Sequence, residues 1–354
     1  MTVRSFAKIN LGLRIGARRA DGFHDLRTVY QTIALHDVLR IKIVRGTGVE
    51  IRCADRRVPT DETNTCHRII AKGMAALQGK GRVIVEIEKR LPVQGGLGGA
   101  SGNAAAAWVA LERALGKQLP GPERLRMAAE VGSDLPLFFI GGTVLGVGRG
   151  EEVYPLSDLP ATPCVIAAPE IGVSTPQAFA DWDGRLARAE DASELRSTRA
   201  RQHARTQRVR GGAKLTAVDP SDRMVELGRM VSSWLSGVPQ KKISGGRLSG
   251  VPAGGRGRAE TLLLDLVRTG IENDFEQVVF PQHPELRDVK GVLERAGAFY
   301  ASLSGSGSAL YGFFRTRAKA VQAADRLRRQ GVPAQATTTL PRAQYWKEFQ
   351  VSRL

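Results

Sequence analysis

The sequence predicts an α+β protein built from two domains, and three observations support this fold class. The chain has 354 residues, which corresponds to two domains at about 150 residues each. Segments with the two-residue period of strands alternate with segments at helical spacing. Near the middle, Pro155, Pro160 and Pro163 interrupt both patterns, so we place the domains at 1–157 and 158–354.

The same two patterns predict the individual elements of each domain. In the first domain, alternating apolar residues indicate strands over 11–15, 40–44 and 82–89. Helical spacing indicates helices over 104–115, which Gly116 ends, and over 123–132. In the second domain the patterns predict strands over 164–168 and 308–314 and helices over 261–269, 285–297 and 318–331.

Positive charge is concentrated in one stretch of the second domain. Lys and Arg total 52 against 35 Asp and Glu, and the net charge of +17 predicts an anionic partner: nucleic acid, an acidic membrane surface or phosphorylated small molecules. Sixteen basic and only six acidic residues fall within 185–258, so +10 of the charge lies there. We interpret about 183–260 as a basic, mobile insertion with one docked helix over 224–235, because it has little apolar surface to bury. No aromatic residue interleaves with the arginines of 198–214 to stack on bases, which disfavours a nucleic-acid arm.

Cysteine content and the N-terminal segment indicate a cytoplasmic protein. Cys53, Cys66 and Cys164 are far apart, form no CxxC pair and are odd in number, which favours a reducing compartment. Polar residues interrupt the apolar positions near the N-terminus, so no secretory segment is expected. No run of about 18 apolar residues occurs, so we expect no membrane-spanning helix and no membrane partner.

The strongest local feature is a glycine-rich loop, PVQGGLGGASGNAAAA at 92–107, between a predicted strand and a predicted helix. Its four glycines are Gly95, Gly96, Gly98 and Gly99. Backbone amides of such a loop, together with a helix N-terminus, form a phosphate site. Ser101 and Asn103 can cap the helix or donate to phosphate oxygens. The loop lacks the Gly-Lys-Ser/Thr of a Walker A motif, and a tightly packed structural turn is the alternative interpretation.

Three further features are candidates for chemistry. The Gly–Ser segment SLSGSGSALYG at 302–312 is a second loop of this type or a tight turn into a strand. Asp134 precedes an apolar run and is either a helix cap or a catalytic base. Lys8 lies inside an otherwise apolar strand, where a lysine requires a carboxylate or phosphate partner.

In this order, the motifs resemble the GHMP family of small-molecule kinases. The matching segments are AKINLGL at 7–13, the glycine loop at 92–105 and the Gly–Ser segment at 302–312. Longer segments, at 19–33, 132–151 and 273–286, are most similar to the members that phosphorylate 4-diphosphocytidyl-2-C-methyl-D-erythritol. The resemblance covers nearly the whole chain except about 183–260. It implies the GHMP kinase fold, with an N-terminal ribosomal-protein-S5-like α/β domain and a C-terminal ferredoxin-like α/β domain.

The resemblance also implies an activity. It implies ATP-dependent phosphorylation of the C2 hydroxyl of that substrate, with Mg²⁺ as cofactor, in the non-mevalonate route to isoprenoid precursors. Asp134 would be the general base and Lys8 its partner beside the attacking hydroxyl, while Asn10 would hold the substrate diol. The metal ligands stay unknown at this stage, and the protein is expected to be a monomer or a homodimer.

Ligand-binding residues follow from the same resemblance. His24 would bind the cytosine edge, with Phe23 and Tyr30 as stacking surfaces and Thr175 nearby. The residues expected to bind ATP are Asn64, Pro92, Gly95, Gly96, Leu97, Gly98, Gly99, Ser101 and Asn103. Three positions depart from the family pattern: Phe23 replaces a common tyrosine, Gln94 a small residue and Gly102 the second serine of the loop.

Two other functions are compatible with parts of the sequence. One is a GHMP kinase of the homoserine or mevalonate type, but those substrates carry no base to stack on the aromatic residues of 19–33. The other is an RNA-binding protein that uses the basic insertion, which would leave Lys8, Asp134 and the glycine loop without a role. The kinase acting on the diphosphocytidyl substrate is therefore the predicted function, and nucleic acid is disfavoured as a partner.

Overall fold

The computed structural model describes residues 1–93, 95–188 and 272–352, and two β-sheets organise this part of the chain. The first sheet contains β1 (Thr2–Arg18), β2 (His24–Val44), β3 (Val49–Cys53), β4 (Arg82–Glu88), β5 (Thr143–Val147), β6 (Glu152–Pro155) and β11 (Gln350–Ser352). The second contains β7 (Pro163–Ala167), β8 (Tyr300–Leu303), β9 (Leu310–Phe313) and β10 (Ala334–Thr338). The described helices are α1 (Thr65–Ala76), α2 (Gly99–Leu115), α3 (Gly121–Val131), α4 (residues 175–188), α5 (Glu276–Gln282), α6 (Pro284–Arg295), α7 (Arg317–Arg329) and α8 (Arg342–Phe349), with a 3₁₀ turn at Pro136–Phe139.

The topology of the described sheets confirms the α+β class. The first sheet has the order β11-β1-β2-β4-β3, and β5 pairs with both β2 and β6. Within it β3 and β4 are parallel, whereas the other pairs are antiparallel. The second sheet is antiparallel throughout, in the order β10-β7-β9-β8.

The two strands that carry the site, β1 and β2, are much longer than the sequence pattern suggests. They contain 17 and 21 residues, so the predicted segments 11–15 and 40–44 are parts of longer strands. Both faces of β1 are buried: Phe6 packs in the core beneath α1 and α2, whereas Leu13 packs in the core of the second sheet. One strand therefore contributes to the cores of both sheets.

The pairing register of β1 and β2 places polar residues on one surface. Lys8 lies opposite Thr32, and Asn10 lies opposite Tyr30. Residues paired across two strands project from the same face of a sheet, so these side chains are neighbours even though the strands are otherwise apolar. An irregularity in the pairing follows Asn10.

Helix α2 packs unusually close to β1. It begins at Gly99, five residues earlier than the periodicity indicates, and ends at the predicted Gly116. A side chain on Gly102 would place its Cβ 2.9 Å from the carbonyl oxygen of Phe6 and 3.0 Å from Oγ of Ser5. Such distances are too short for a Cβ. Glycine at position 102, where the family pattern has a serine, therefore allows the close contact between α2 and β1.

Most of the remaining elements agree with the sequence. The predicted helices over 123–132, 285–297 and 318–331 are confirmed as α3, α6 and α7. The strands over 82–89, 164–168 and 308–314 are confirmed as β4, β7 and β9. Of the insertion predicted at about 183–260, residues 183–188 belong to α4 and are helical rather than part of a mobile loop. The rest of the insertion, the predicted helices over 224–235 and 261–269, and Gln94 lie outside the described residues. None of the described helices is both long and apolar enough to span a membrane.

The C-terminal segment returns to the first sheet. The chain leaves that sheet after β6 and enters the second at β7, within the proline-containing stretch used to place the boundary. Strand β11 then pairs with β1, with Thr2 opposite Ser352, and the hydroxyl of Tyr345 in α8 donates to the carbonyl of Phe138 at 2.8 Å. The predicted second domain over 158–354 does not account for this return. Strand β11 belongs to that range, yet it pairs with β1, which would otherwise be the edge strand of the first sheet.

Candidate active site

Lys8 and Asp134 form an ion pair at the centre of the polar surface on β1. Nζ of Lys8 lies 3.0 Å from Oδ2 of Asp134, which comes from the turn before Pro136–Phe139. Tyr30 of β2 donates its hydroxyl to Oδ1 at 3.0 Å, so a different group holds each carboxylate oxygen. The predicted carboxylate partner of Lys8 is confirmed. The alternative that Asp134 caps a helix is wrong, because Leu135 occupies that position without a side-chain bond.

Asn10 joins the same cluster through a chain of hydrogen bonds. Lys8 Nζ donates to Oδ1 of Asn10 at 2.7 Å, and Nδ2 of Asn10 donates to the hydroxyl of Thr28 at 2.7 Å. That hydroxyl in turn donates to the carbonyl of Gly12 at 2.8 Å. These bonds fix which way the amide of Asn10 faces. The structure thus brings together the three residues expected at the acceptor hydroxyl, namely Lys8, Asn10 and Asp134.

The electrostatics of the pair are asymmetric. The side chain of Lys8 is 4% exposed, whereas that of Asp134 is 32% exposed. A buried ammonium needs anionic and polar partners, which Asp134 and Asn10 provide. Burial, followed by the negative charge of Asp134, raises the pKa of Tyr30 well above its ordinary value, so its phenol stays a hydrogen-bond donor at neutral pH. Because the carboxylate of Asp134 is partly exposed, it can accept a proton from a bound alcohol.

The glycine loop lies directly against this cluster. Its Gly98 is the N-cap of α2, with φ +68°, a conformation that glycine adopts without strain. The backbone amide of Lys8 donates to the carbonyl of Leu97 at 3.0 Å. A Cβ on Gly98 would lie 2.9 Å from Cγ of Lys8, so only glycine allows the loop to approach the lysine this closely. The unpaired amides of the first turn of α2 belong to the same loop and suit the phosphates of ATP.

The Gly–Ser loop, residues 304–309, contacts the glycine loop. Ser304 donates its hydroxyl to the carbonyl of Gly96 at 3.0 Å, and the amide of Ala309 donates to the carbonyl of Gly95 at 3.1 Å. The hydroxyls of Thr175 and Ser306 are hydrogen-bonded at 2.7 Å, which connects the start of α4 to this loop. The two loops that the sequence motifs identified therefore meet in space.

Aromatic side chains from β2 and α4 lie at one end of the site. The ring of His24 stacks on that of Phe179, with centroids 5.0 Å apart and planes 7° apart. Its Nε2 lies 2.7 Å from Oδ1 of Asp183. Phe23 is 53% exposed, and the guanidinium carbon of Arg149 lies 5.1 Å from its ring centroid. An exposed ring beside a polar imidazole suits a flat, hydrogen-bonding base. Phe179 and Asp183 escaped the sequence analysis because no local motif marks them.

Two predicted ligand contacts do not fit the structure. Tyr30 is 2% exposed, and its ring lies where a Cβ on Gly146 would be, so no face is available for stacking on a base. Its hydroxyl holds Asp134 instead. Asn103 is also buried and donates to Oδ2 of Asp37 at 3.0 Å, which turns it away from any phosphate. Tyr30 and Asn103 therefore stabilise the site through buried hydrogen bonds, to Asp134 and to Asp37.

The remaining predicted ATP contacts are near the start of α2. Asn64 caps α1 by accepting from the amide of Cys66 at 2.8 Å, and Thr65 donates to the carbonyl of Ala100 at 3.0 Å. The start of α1 therefore touches the start of α2. Ser101 lies in the first turn of α2, while Pro92 is exposed ahead of the glycines. A nucleotide contact by these residues stays a prediction.

A buried carboxylate that the sequence analysis missed anchors the glycine loop. Asp37 of β2 is fully buried and accepts from the ammonium of Lys89 and from the amides of Arg90 and Leu91, each at 2.7 Å. With the fourth bond, from Asn103, these contacts fix both ends of the loop to one strand. Nothing in the local pattern around Asp37 distinguishes it from an exposed acid, because its donors are distant in sequence.

The site fits a metal ion only if phosphates provide most of its ligands. Within 1–93, 95–188 and 272–352, no group of three or more His, Cys, Asp or Glu could hold a metal. Mg²⁺ typically takes one or two carboxylates together with substrate phosphates. Asp134 is a partly exposed carboxylate beside the glycine loop and matches that pattern.

Comparison with known proteins identifies the class. Residues 64–142 match the GHMP kinases N terminal domain, and residues 258–333 match the GHMP kinases C terminal domain. A solved structure of homoserine kinase from Cytophaga hutchinsonii superposes with a TM-score of 0.60 over 96% of this chain and 95% of that one, but at 18% identity it shows the fold alone. The fold and the two matching segments define a GHMP kinase, which confirms the expected fold and class.

Two closer comparisons narrow the class further. The 4-diphosphocytidyl-2-C-methyl-D-erythritol kinase of Solibacter usitatus (strain Ellin6076) is 36% identical over 322 residues, covering 89% of this chain and 81% of the relative. A crystal structure of 4-(cytidine 5'-diphospho)-2C-methyl-D-erythritol kinase is 26% identical, with a TM-score of 0.65 over 96% of this chain and 99% of that one. The chain belongs to the 4-diphosphocytidyl-2-C-methyl-D-erythritol kinase family. It is an ATP-dependent small-molecule kinase.

Proposed function

We propose that this protein transfers the γ-phosphoryl group of ATP to the C2 hydroxyl of 4-diphosphocytidyl-2-C-methyl-D-erythritol, giving the 2-phosphate and ADP in isoprenoid precursor biosynthesis. The observation that carries the proposal is the ion pair of Lys8 and Asp134, 3.0 Å long, directly beside the glycine loop. A base and a phosphate-binding loop in contact are what a kinase of small alcohols requires.

The reaction assigns one task to each residue of the cluster. The C2 oxygen attacks the γ-phosphorus, the bond to the β–γ bridging oxygen breaks, and its electron pair leaves with ADP. Asp134 accepts the hydroxyl proton on its open side as the new O–P bond forms. Lys8 stabilises the negative charge beside that oxygen. Asn10 is buried and bonded to Lys8 and Thr28, so it holds the lysine in place, and its expected contact with the diol stays a prediction. Mg²⁺ bound to the ATP phosphates would neutralise charge on the transferred group.

The other end of the substrate would lie among the aromatic residues. Phe23 provides an exposed ring for the cytosine. His24 is buried and bonded through Nε2 to Asp183, so its expected contact with the cytosine edge stays a prediction. Gly95 to Gly99 and the start of α2 would bind the triphosphate. We place the reaction in the cytoplasm, where a reducing environment suits the three free cysteines.

A substrate panel tests the proposed function. ADP release is measured with purified protein, Mg²⁺-ATP and one of three alcohols: 4-diphosphocytidyl-2-C-methyl-D-erythritol, homoserine or mevalonate. We expect turnover with the first alcohol and only background ADP release with the others. Turnover with homoserine or mevalonate but none with the diphosphocytidyl alcohol would refute the proposal and favour the other GHMP kinase types.

A further inference from the structure

Asn273 lies at the beginning of a segment, NDFEQVVFPQHPEL, that is similar to the family but to which the sequence analysis gave no role. Its side chain is buried, with 2% of the residue exposed. Nδ2 donates to the carbonyl of Leu303 at 2.9 Å and to that of Gly305 at 2.7 Å. Oδ1 accepts from the amide of Phe275 at 3.1 Å, so every polar atom of the amide is used. Asn273 thus binds the backbone on both sides of Ser304.

The backbone around Asn273 is joined to β1, the strand that carries Lys8. The amide of Leu13 donates to the carbonyl of Glu272 at 3.0 Å, and the amide of Asp274 donates to the carbonyl of Leu13 at 2.9 Å. The carboxylate of Asp274 accepts from the amide of Ile15 at 3.0 Å and from Arg14 at 2.8 Å. Asn273 therefore has a fixed position relative to the catalytic strand.

The loop that Asn273 holds lies between the acceptor side and the phosphate side of the site. Gly305 has φ +60°, and a Cβ there would lie 3.3 Å from Oδ1 of Asn10 and 3.8 Å from Nζ of Lys8. One residue earlier, Ser304 donates to the carbonyl of Gly96 in the glycine loop. Residues 304 and 305 therefore contact both the proton-accepting cluster and the glycine loop, and they reinforce the direct bond from Lys8 to Leu97.

We propose that Asn273 is a positioning residue for phosphoryl transfer, which holds the Gly–Ser loop so that the glycine loop and the Lys8–Asn10–Asp134 cluster keep a productive spacing. The inference rests on the proposed function. Asn273 acts through Gly305 and Ser304 and does not itself contact the substrate. A displacement of about 1 Å at such a site can cost about 100-fold in rate, so loss of the two donated bonds should affect catalysis more than acceptor binding.

The test compares Asn273→Asp with Asn273→Ala and with Gln282→Ala. The first variant keeps the side-chain volume but loses both N–H donors, and the second removes the amide without adding charge. Gln282→Ala is the matched control, because it removes an exposed amide of the same segment, which donates to Asp181, without changing the bonds to Leu303 and Gly305. For each protein kcat, the KM of both substrates and the thermal midpoint are measured, together with hydrogen exchange of the amides of Ser304, Gly307 and Ala309 without substrate.

We expect both Asn273 variants to lose about 10-fold to 100-fold in kcat, while the KM of the diphosphocytidyl alcohol changes by less than about 3-fold. The three amides should exchange faster than in the native protein. Gln282→Ala should keep kcat, the thermal midpoint and the slow exchange close to native. Native kcat in both Asn273 variants, or an equal loss in Gln282→Ala, would overturn the inference. If the native protein does not phosphorylate the alcohol, the proposed function fails, and exchange at the three amides alone decides the role of Asn273.

Discussion

Nζ of Lys8 lies 3.0 Å from Oδ2 of Asp134, and the two side chains differ in exposure, with the lysine buried and the aspartate 32% exposed. The buried cation orients the carboxylate and also contacts Gly98 of the glycine loop, whereas the carboxylate itself is partly exposed. An ion pair in which only the base remains accessible suits proton transfer from a bound alcohol better than it suits structural stabilisation.

Gly98→Ala should impair catalysis, whereas Gly116→Ala should not. Both glycines have left-handed φ values, +68° and +63°, so each substitution strains the backbone by about 1 kcal/mol. At Gly98 the new methyl would also lie 2.9 Å from Cγ of Lys8 and 3.0 Å from Cζ of Phe138, whereas at Gly116 nothing lies within 4 Å. We expect both variants to lose thermal stability, Gly98→Ala more because of the clash, and a kcat reduced at least about 10-fold only in Gly98→Ala. Equal kcat in the two variants would contradict the contact between loop and lysine.

Tyr30→Phe should lower kcat by about 3-fold to 10-fold without changing the KM of the acceptor alcohol. The substitution removes the hydroxyl that donates to Oδ1 of Asp134 but keeps the buried ring. If Tyr30 stacked on the substrate base instead, phenylalanine would preserve the rate. Steady-state kinetics distinguish the two outcomes, and Tyr154→Phe is the matched control because Tyr154 is exposed.

The free energy of unfolding should fall steeply above about pH 10, because the pKa values of three buried tyrosines and of the half-buried Tyr300 are raised. Burial is the first cause for each, and the residues are Tyr30, Tyr300, Tyr311 and Tyr345. A group whose folded pKa exceeds its unfolded pKa stabilises the fold fully below the unfolded value. That stabilisation is lost as the pH rises toward the folded value. The buried thiols of Cys66 and Cys164, whose pKa values burial also raises, act in the same direction.

Urea unfolding at pH 8, 10 and 11 measures this alkaline loss. Tyr345→Phe removes one titrating group. Above pH 10 the free energy of unfolding of this variant should therefore fall less steeply than that of the native protein, by up to about 1.4 kcal/mol per pH unit. Tyr154→Phe should keep the native slope, because Tyr154 is exposed. Identical slopes in Tyr345→Phe and the native protein would show that the folded environment does not hold that phenol protonated.

Asp37→Asn should destabilise the protein by about 3 kcal/mol, because the buried ammonium of Lys89 loses its carboxylate. The amides of Arg90 and Leu91 also depend on this side chain, so the glycine loop should become more susceptible to proteolysis. Urea unfolding and limited trypsin digestion measure the two effects. Asp325→Asn, an exposed acid in α7, should leave the unfolding midpoint unchanged. A native-like Asp37→Asn would show that the four bonds do not anchor the loop.

The sequence was informative where a residue type conflicted with its local pattern. Lys8 in an apolar strand predicted a carboxylate or phosphate partner, and Asp134 is a carboxylate partner. The contact of Gly98 with Lys8 matches the tightly packed turn that was the alternative interpretation of the glycine loop, whereas phosphate binding by that loop stays a prediction. The long strands β1 and β2 were under-predicted, because both faces of β1 are buried and the alternation that marks a half-buried strand is lost.

Roles that depend on distant contacts could not be predicted. The sequence indicates Tyr30 as a stacking residue. In the structure its ring instead packs against Gly146, in the space that a side chain at that position would need. Asn103 looked available to phosphates because its partner, Asp37, is far away in sequence. The return of β11 to β1 likewise depends on a long-range pairing that no local periodicity encodes.

A rapid-quench measurement of single turnovers tests the central claim most directly. Native protein and Asp134→Asn are each mixed in excess over radiolabelled ATP with saturating 4-diphosphocytidyl-2-C-methyl-D-erythritol, and the labelled 2-phosphate is quantified. The account predicts product from the native enzyme and a rate about 10²-fold to 10⁴-fold lower in Asp134→Asn, with ATP binding retained. A variant rate within about 3-fold of native would contradict the assignment of Asp134 as the base.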